Sequence, residues 1–419
     1  MLIRMGAARL THVGASLRPL RVAFVVIATV ACGEKTSPQR GTAVSIDSAG
    51  VQIVTNDPPD RNARCALSDE PILSIGAVEG DEPHLFHQVR DAARLSDGSI
   101  AVVDGSSREV RIFSAKGEHL RSMGGVGDGP GEFRGPWLLW VLPGDTLWVG
   151  DYMPWRFNVF SPAGEFSRAV QPDPYQLHAF VRGGVLANGT SVNVTQAMTP
   201  PGGNSAAPVT FLVEAHGPDG ALIDTITALP GRSFEPVSDQ PGFFLPTLFG
   251  ASPLVAARGT DIAMTTARDP EVRILDEGFR LRRIVRWAEP AREVADIHLQ
   301  AFRDDYVAER GGRASPGWNN GDEAAIANAR TVADLFPTAA DLMIGRDGRV
   351  WVKRFARPRE EVAWMAFSPD GIFSCHLAPG PDLTPYEFGV DYLLALDVDD
   401  LDTERVVMHR LDSPGGGSQ

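Results

Sequence analysis

The sequence predicts an all-β fold, a six-bladed β-propeller with a helical insertion between blades four and five. Three observations predict it: a strand-turn-strand unit recurring at a fixed offset, a count of such units that reaches six, and one interval too long for a single unit. In the clearest pair, Asp97-Gly-Ser-Ile-Ala-Val-Val-Asp104 leads to Arg111-Ile-Phe113-Ser-Ala-Lys-Gly117. The same pattern, Gly144-Asp-Thr-Leu-Trp-Val-Gly-Asp151 leading to Asn158-Val-Phe160-Ser-Pro-Ala-Gly164, follows at an offset of 47 residues throughout. Each copy reads as a polar turn, a short apolar strand, a loop after an aspartate, a second strand ending in Phe-Ser and a Gly turn. A four-stranded sheet of this kind cannot bury both faces alone, so repeats of 40 to 50 residues pack on one another around an axis.

Further units follow at Asn188-Gly-Thr-Ser-Val-Asn-Val194 with His216-Gly-Pro-Asp-Gly220, and at Gly259-Thr-Asp-Ile-Ala-Met264 with Leu275. Asp347-Gly-Arg-Val-Trp-Val352 with Phe367-Ser-Pro-Asp-Gly371, and residues 396–411, complete the six. The strands expected at 44–54 and 66–75 have no unit of their own and are assigned to the last blade, which removes the free edge between first and last. From Leu275 to Phe367 the spacing is 92 residues, about 45 more than one repeat. The excess, 290–336, holds two helical patterns. Residues 291–309 place Val294, Ile297, Phe302 and Tyr306 on one side, and residues 322–336 place Ala325, Ile326, Ala329, Val332 and Leu335 likewise.

Ahead of the repeats, residues 1–31 read as an export signal: arginines up to Arg21 precede an apolar run from Val22 to Ala31 that is too short to span a bilayer. Ala31 before Cys32-Gly33 resembles the lipobox of bacterial lipoproteins, whose cysteine is lipidated and becomes the mature N-terminus; the alternatives are a simple secretory signal or an uncleaved anchor. That resemblance implies an exported chain anchored by Cys32 to a bacterial membrane, and Gly33 in place of an aspartate implies the outer membrane. Residues 32–43 then form a flexible tether, 44–411 the propeller, and 412–419 a disordered tail. In such a compartment thiols oxidise. Cys65 and Cys375 are either a disulfide closing a loop of about 310 residues or two buried thiols. Placed on blades five and six, they would be neighbours at the seam.

The formal charge of −14 excludes nucleic acid as a partner, because the overall field repels it. Hydrophobic content of 43% with 22% charged residues excludes general disorder. Of the 39 basic residues only Lys35, Lys116 and Lys353 are lysines. This reads as a coding bias, so arginine clusters carry reduced weight.

The stretch Gly124-Gly-Val-Gly-Asp-Gly-Pro-Gly-Glu-Phe-Arg-Gly-Pro136, followed by Leu147-Trp-Val-Gly-Asp151, Arg156 and Phe160, resembles the NHL-type repeat. Over residues 44–411 the chain resembles bacterial six-bladed β-propeller lipoproteins. The glycine run is no phosphate loop, since no Lys-Ser/Thr follows it into a helix.

Aligning the units sets Asp104, Asp151, Thr195 or Gln196, Thr266, Arg354 and Asp400 at one repeat position. They are a candidate ligand face, together with Arg134, Tyr152, Arg156 and Trp155. The competing reading, which the resemblance implies, pairs each aspartate with a following arginine, Asp151 with Arg156 and Asp104 with Arg108. Arg357 and Arg359 add positive charge to the same face. Trp148 and Trp351 fall at equivalent strand positions and read as core, whereas Trp137, Trp140, Tyr152 and Trp155 are candidates for a ligand platform. His84 and His87 could serve as a zinc pair only on a helix with a third ligand, which no spacing supplies. No metal site or cofactor is expected; Ca²⁺ on Asp104, Asp151 and Asp400 is the one cation these residue types suit. No Gly-x-Ser-x-Gly or His-Glu-x-x-His motif is present. The reading is a membrane-anchored module that binds a protein or small-molecule partner on one propeller face. The alternatives are a metal-dependent hydrolase or lyase of lactonase type and a cell-surface structural protein.

Overall fold

A computed structural model describes residues 43–60, 62–174, 181–196, 208–236, 244–289, 291–311 and 331–413. The export signal, Cys32 and most of the tether lie outside these residues, as do residues 414–419. The described chain is all-β apart from one helix, Asp296–Gly311, and one short 3₁₀ turn, Glu82–His84. Its strands form antiparallel meanders arranged like the blades of a propeller. In the first, Val89–Arg94, Ile100–Asp104, Glu109–Phe113 and His119–Gly124 pair in sequence order, as do the four strands from Pro136 to Val170 in the second. The polar turns 95–99 and 143–145 are the punctuation between first and second strands. Gly98 and Gly144 adopt φ of 89° and 77° there, a backbone that only glycine takes without strain.

The innermost strands of the meanders are Val89–Arg94, Pro136–Leu142, Gly183–Val185, Leu254–Arg258, Asp341–Ile344 and Leu383–Phe388. They neighbour one another in that order, and the last lies against the first, so the ring closes. Each seam holds its own apolar cluster. Val103, Ile112 and Leu147 pack at one seam, Val272, Val352 and Met365 at another, and Trp351 stacks on Phe388 with ring centroids 4.0 Å apart at a third. Trp148 and Trp351 are fully buried, 1% and 0% exposed, as core residues must be.

The sheets do not divide into six separate blades. Four are compact, with four or five strands, and the fifth has eleven. The cause is a parallel pairing between two inner strands, Gly183 opposite Ala256 and Gly184 opposite Ala257, which joins the meanders on either side. Glycine permits it: a Cβ on Gly184 would lie 2.2 Å from the carbonyl oxygen of Ala257. The hairpin Ala43–Ser48/Val51–Asn56 departs from expectation as well. It adds to this same sheet, Val51–Asn56 running parallel to Leu281–Arg286, and does not join the last blade. Leu73–Ile75 and Ala66–Leu67 do pair with Glu404–Asp412, and Cys65 is disulfide-bonded to Cys375 across the adjoining seam, Cα to Cα 5.5 Å.

The helix Asp296–Gly311 lies in the chain between the fourth and fifth meanders, where the helical insertion was expected. Phe302 meets Phe249 at 5.8 Å between ring centroids, and Asp305 is bonded to Arg359 at 3.0 Å. The second helical pattern is not continued in the described part of 322–336. Val332 and Leu335 sit in extended chain bridged to Leu248 and Glu293, while Ala325, Ile326 and Ala329 lie outside the described residues. The last strand runs through Asp412, one residue into the segment assigned to a disordered tail.

Candidate functional site

The aligned polar residues stand at or just past the far end of each second strand, and most of them are engaged by nearby backbone or by ion pairs. Asp151 is fully buried; its Oδ1 accepts the Gly135 amide at 2.7 Å and its Oδ2 the Arg134 amide at 3.2 Å, with Arg156 at 3.4 Å. It thereby fixes the glycine-rich connection as that connection turns into the second inner strand. Asp104 accepts the Ser106 amide at 2.9 Å and pairs with Arg111 at 3.5 Å, not with Arg108. Thr266 accepts the Arg268 amide, Arg354 is bonded to Glu289 at 2.6 Å, and Arg134 pairs with Asp128. Asp400 is exposed, and Thr195 donates to Glu214 at 3.0 Å. Trp155 is 2% exposed against Phe157, and Tyr152 packs edge-on against Trp137. Among the described residues no three His, Cys, Asp or Glu side chains are grouped to hold a metal. His84 contacts the Gly117 carbonyl at 3.0 Å and His87 is exposed.

The concave site lies elsewhere, inside the ring. A cavity of about 560 Å³ is lined by the inner strands and reaches the face formed by turns 143–145, 259–261 and 345–348. Antiparallel pairing sets Asp104 and Asp151 at the opposite ends of their blades from these turns. Of the residues proposed as a ligand platform, Trp140 alone lines the cavity.

Charged groups from five of the six inner strands or their flanks converge there in two tiers. In one, Glu387, 2% exposed, is held by Arg258 at 2.8 Å and Arg346 at 2.8 Å and accepts the Tyr392 hydroxyl at 2.6 Å. In the other, Asp91 accepts the amides of Ala92 and Leu139, both at 2.9 Å, and faces Arg182 at 3.5 Å. Since Gly183 lies opposite Ala256, Arg182 and Arg258 are offset by three residues along parallel strands, about 10 Å at the usual strand rise.

The two carboxylates titrate in opposite directions. Burial pushes Glu387 up, but the Arg258 and Arg346 guanidiniums outweigh it and hold the group below the usual carboxylate range. For Asp91 burial wins over Arg182 and the two amides, and the pKa is pushed up from 3.8 to about 6. A carboxyl that binds its proton more tightly when folded makes the protein less stable as pH rises from 3.8 towards about 6. The loss amounts to about 3 kcal/mol at neutral pH. Denaturant unfolding of wild type and Asp91→Asn at pH 4 and pH 8 should therefore show their stability difference moving by about this much in the variant's favour as pH rises. An unchanged difference would mean that Asp91 ionises as an ordinary carboxylate.

Sequence reasoning aligned second strands and so passed over these residues. The available signal was local: a glutamate between aromatics in Tyr386-Glu387-Phe388, and an aspartate followed by two alanines in Asp91-Ala-Ala93, both inside short apolar strands.

No family model matches the sequence, and no curated protein does. Among solved structures, the chain is similar to a Bacteroides fragilis protein whose name describes it as exported, at 10% identity and a TM-score of 0.47, covering 86% of this chain and 99% of that one. It is similar also to a gluconolactonase from Xanthomonas campestris, at 13% identity and a TM-score of 0.39, covering 89% and 98%. A virginiamycin B lyase from Staphylococcus aureus gives 9% identity and a TM-score of 0.37, covering 82% and 88%. None of the three reaches a TM-score of 0.5, and no property of theirs passes to this chain.

Proposed function

We propose that this chain is an exported, lipid-anchored, six-bladed β-propeller whose central channel binds a small molecule. The six-blade count treats the eleven-stranded sheet as two blades joined at one parallel seam, in keeping with the six repeat units and the closed ring of inner strands. Export and anchoring rest on the apolar run before Ala31-Cys32. The observation that carries the binding function is the cavity of about 560 Å³ into which Asp91, Arg182, Arg258, Arg346 and Glu387 converge from separate blades. Concave sites with a few convergent polar groups are where small ligands are held.

The test screens the mature chain against a chemically diverse set of small metabolites for a rise in melting temperature, with Thr260→Trp as the blocked-channel control. Thr260 is exposed at the channel mouth, so the substitution obstructs entry without touching the core. Hits that vanish in the blocked variant support the function, and hits that persist in it, or none at all, reject it. Anchoring is tested apart from binding: labelled fatty acid is incorporated into wild type and not into Cys32→Ser. Label in the variant, or none in wild type, would remove the lipid anchor.

A further inference from the structure

Hydrogen-bond donors and acceptors are out of balance in the channel, and the imbalance describes what belongs there. The acceptors are used. Glu387 Oε1 receives the Tyr392 hydroxyl at 2.6 Å and the Arg94 amide at 3.3 Å and faces Arg346 Nε at 2.8 Å, while Oε2 receives Arg258 Nη2 at 2.8 Å. Asp91 Oδ1 receives the Ala92 amide, and Oδ2 receives the Leu139 amide and faces Arg182. Most of the guanidinium donors, by contrast, are not used by the described residues. Arg258 gives one N–H to Glu387 and Arg346 one to the carbonyl of Arg94; Arg182 gives no hydrogen bond to any described residue and keeps only its ion-pair contact at 3.5 Å. Guanidinium offers a planar fork of donors and no acceptor at all, so the cavity presents spare N–H groups on three sides.

Within the two tiers three guanidiniums stand against two carboxylates. At the mouth Asp261 is paired with Arg282 at 2.9 Å, whereas Asp145 is hydrogen-bonded by the neutral Ser96 and keeps its charge, so the spare positive charge is confined to the tiers and does not extend to the rim. The walls are not uniformly polar: Trp140, Val141, Leu142 and Met343 line the same cavity and have no use for a bare inorganic anion.

We propose that the channel is a site for a small organic carboxylate, a monoanion whose carboxylate docks on the Arg182 guanidinium while its organic part lies against Trp140 and the neighbouring apolar wall. Arg182 is the docking group because, among the described residues, it gives the fewest of its donors away, and a carboxylate matches the guanidinium fork with two parallel bonds. This assignment rests on the channel being the binding site, as proposed above.

Benzoate and benzamide have the same size and shape and differ in charge, and inorganic phosphate supplies an anion with no organic part. Titration calorimetry of the mature chain with each probe, in wild type, Arg182→Gln, Arg182→Lys and Arg273→Gln, separates the outcomes. Arg273 pairs with Glu271 away from the channel and serves as the control. Benzoate should bind about tenfold or more tightly than benzamide, as expected for a charge-assisted pair. It should lose about tenfold in Arg182→Gln, recover in part in Arg182→Lys and be unchanged in Arg273→Gln. Equal binding of benzamide, benzoate binding indifferent to Arg182, or phosphate outcompeting benzoate would each overturn the assignment. If Arg182→Gln does not fold, the comparison of benzoate with benzamide in wild type decides alone. Should no carboxylate bind while a neutral or cationic compound passes the blocked-channel test, the carboxylate assignment fails and the binding function stands; should nothing pass that test, both fail.

Discussion

Glu387→Ala is expected to destabilise the protein by roughly 3–5 kcal/mol, as the loss of one partner from a buried ion cluster does. The side chain is 2% exposed and answers two guanidiniums, Arg258 and Arg346, that reach it from different blades. Removing it strands two positive charges in a confined cavity and leaves the Tyr392 hydroxyl without its acceptor. Glu387→Gln should cost less, because the amide oxygen still accepts hydrogen bonds, although the charge is gone. Denaturant unfolding at neutral pH checks both. A Glu387→Ala loss under about 1 kcal/mol would be that of an exposed pair and would mean that water screens the cluster.

The second large effect belongs to the disulfide. Cys65 and Cys375 are 310 residues apart in sequence, and in the chain-entropy account closing a loop of that length stabilises by up to about 5–6 kcal/mol. The bond acts mainly on the unfolded chain, since the folded segments already meet without it: the Cys65 amide donates to the His376 carbonyl at 2.8 Å and the His376 amide to the Ala63 carbonyl at 2.8 Å. Cys65→Ala/Cys375→Ala should therefore keep the fold and the central cavity while losing several kcal/mol in equilibrium unfolding, and reduction of wild type should do the same. Oxidised wild type and the double variant unfolding at the same denaturant concentration would reject that contribution.

What the sequence made legible was the periodic part of the fold. Turns such as Asp97-Gly98 and Gly144-Asp145 mark the step from first to second strand because that step needs a positive φ, and the offset of 47 is the distance between these two. The inner strands carry no such mark. They are short and walled in on both sides, so their pattern is a brief apolar run interrupted by a charge, and Asp91 and Glu387 occupy no common repeat position. Their meeting is a product of ring closure, since Asp91 neighbours Leu139 and Arg182 in space while Glu387 draws on Arg258 and Arg346. The fused sheet was hidden for a similar reason: Gly183-Gly184 reads as a turn in isolation, and only the neighbouring strand reveals it as a point of close backbone approach. Asp104 and Asp151 attracted a functional reading because they recur, and they recur because every blade must fix its own loops.

The pairing of Ala66–Leu67 and Leu73–Ile75 with Glu404–Asp412 sets an order of events during synthesis. The early strands leave the ribosome more than three hundred residues before the strand that completes them. Until then they have no edge to join, and each blade that forms in the interval presents an open flank to its surroundings. The strand Glu404–Asp412 acts as the latch, and a chain truncated before Glu404 should emerge as prey for proteases even though nearly all of its blades are complete.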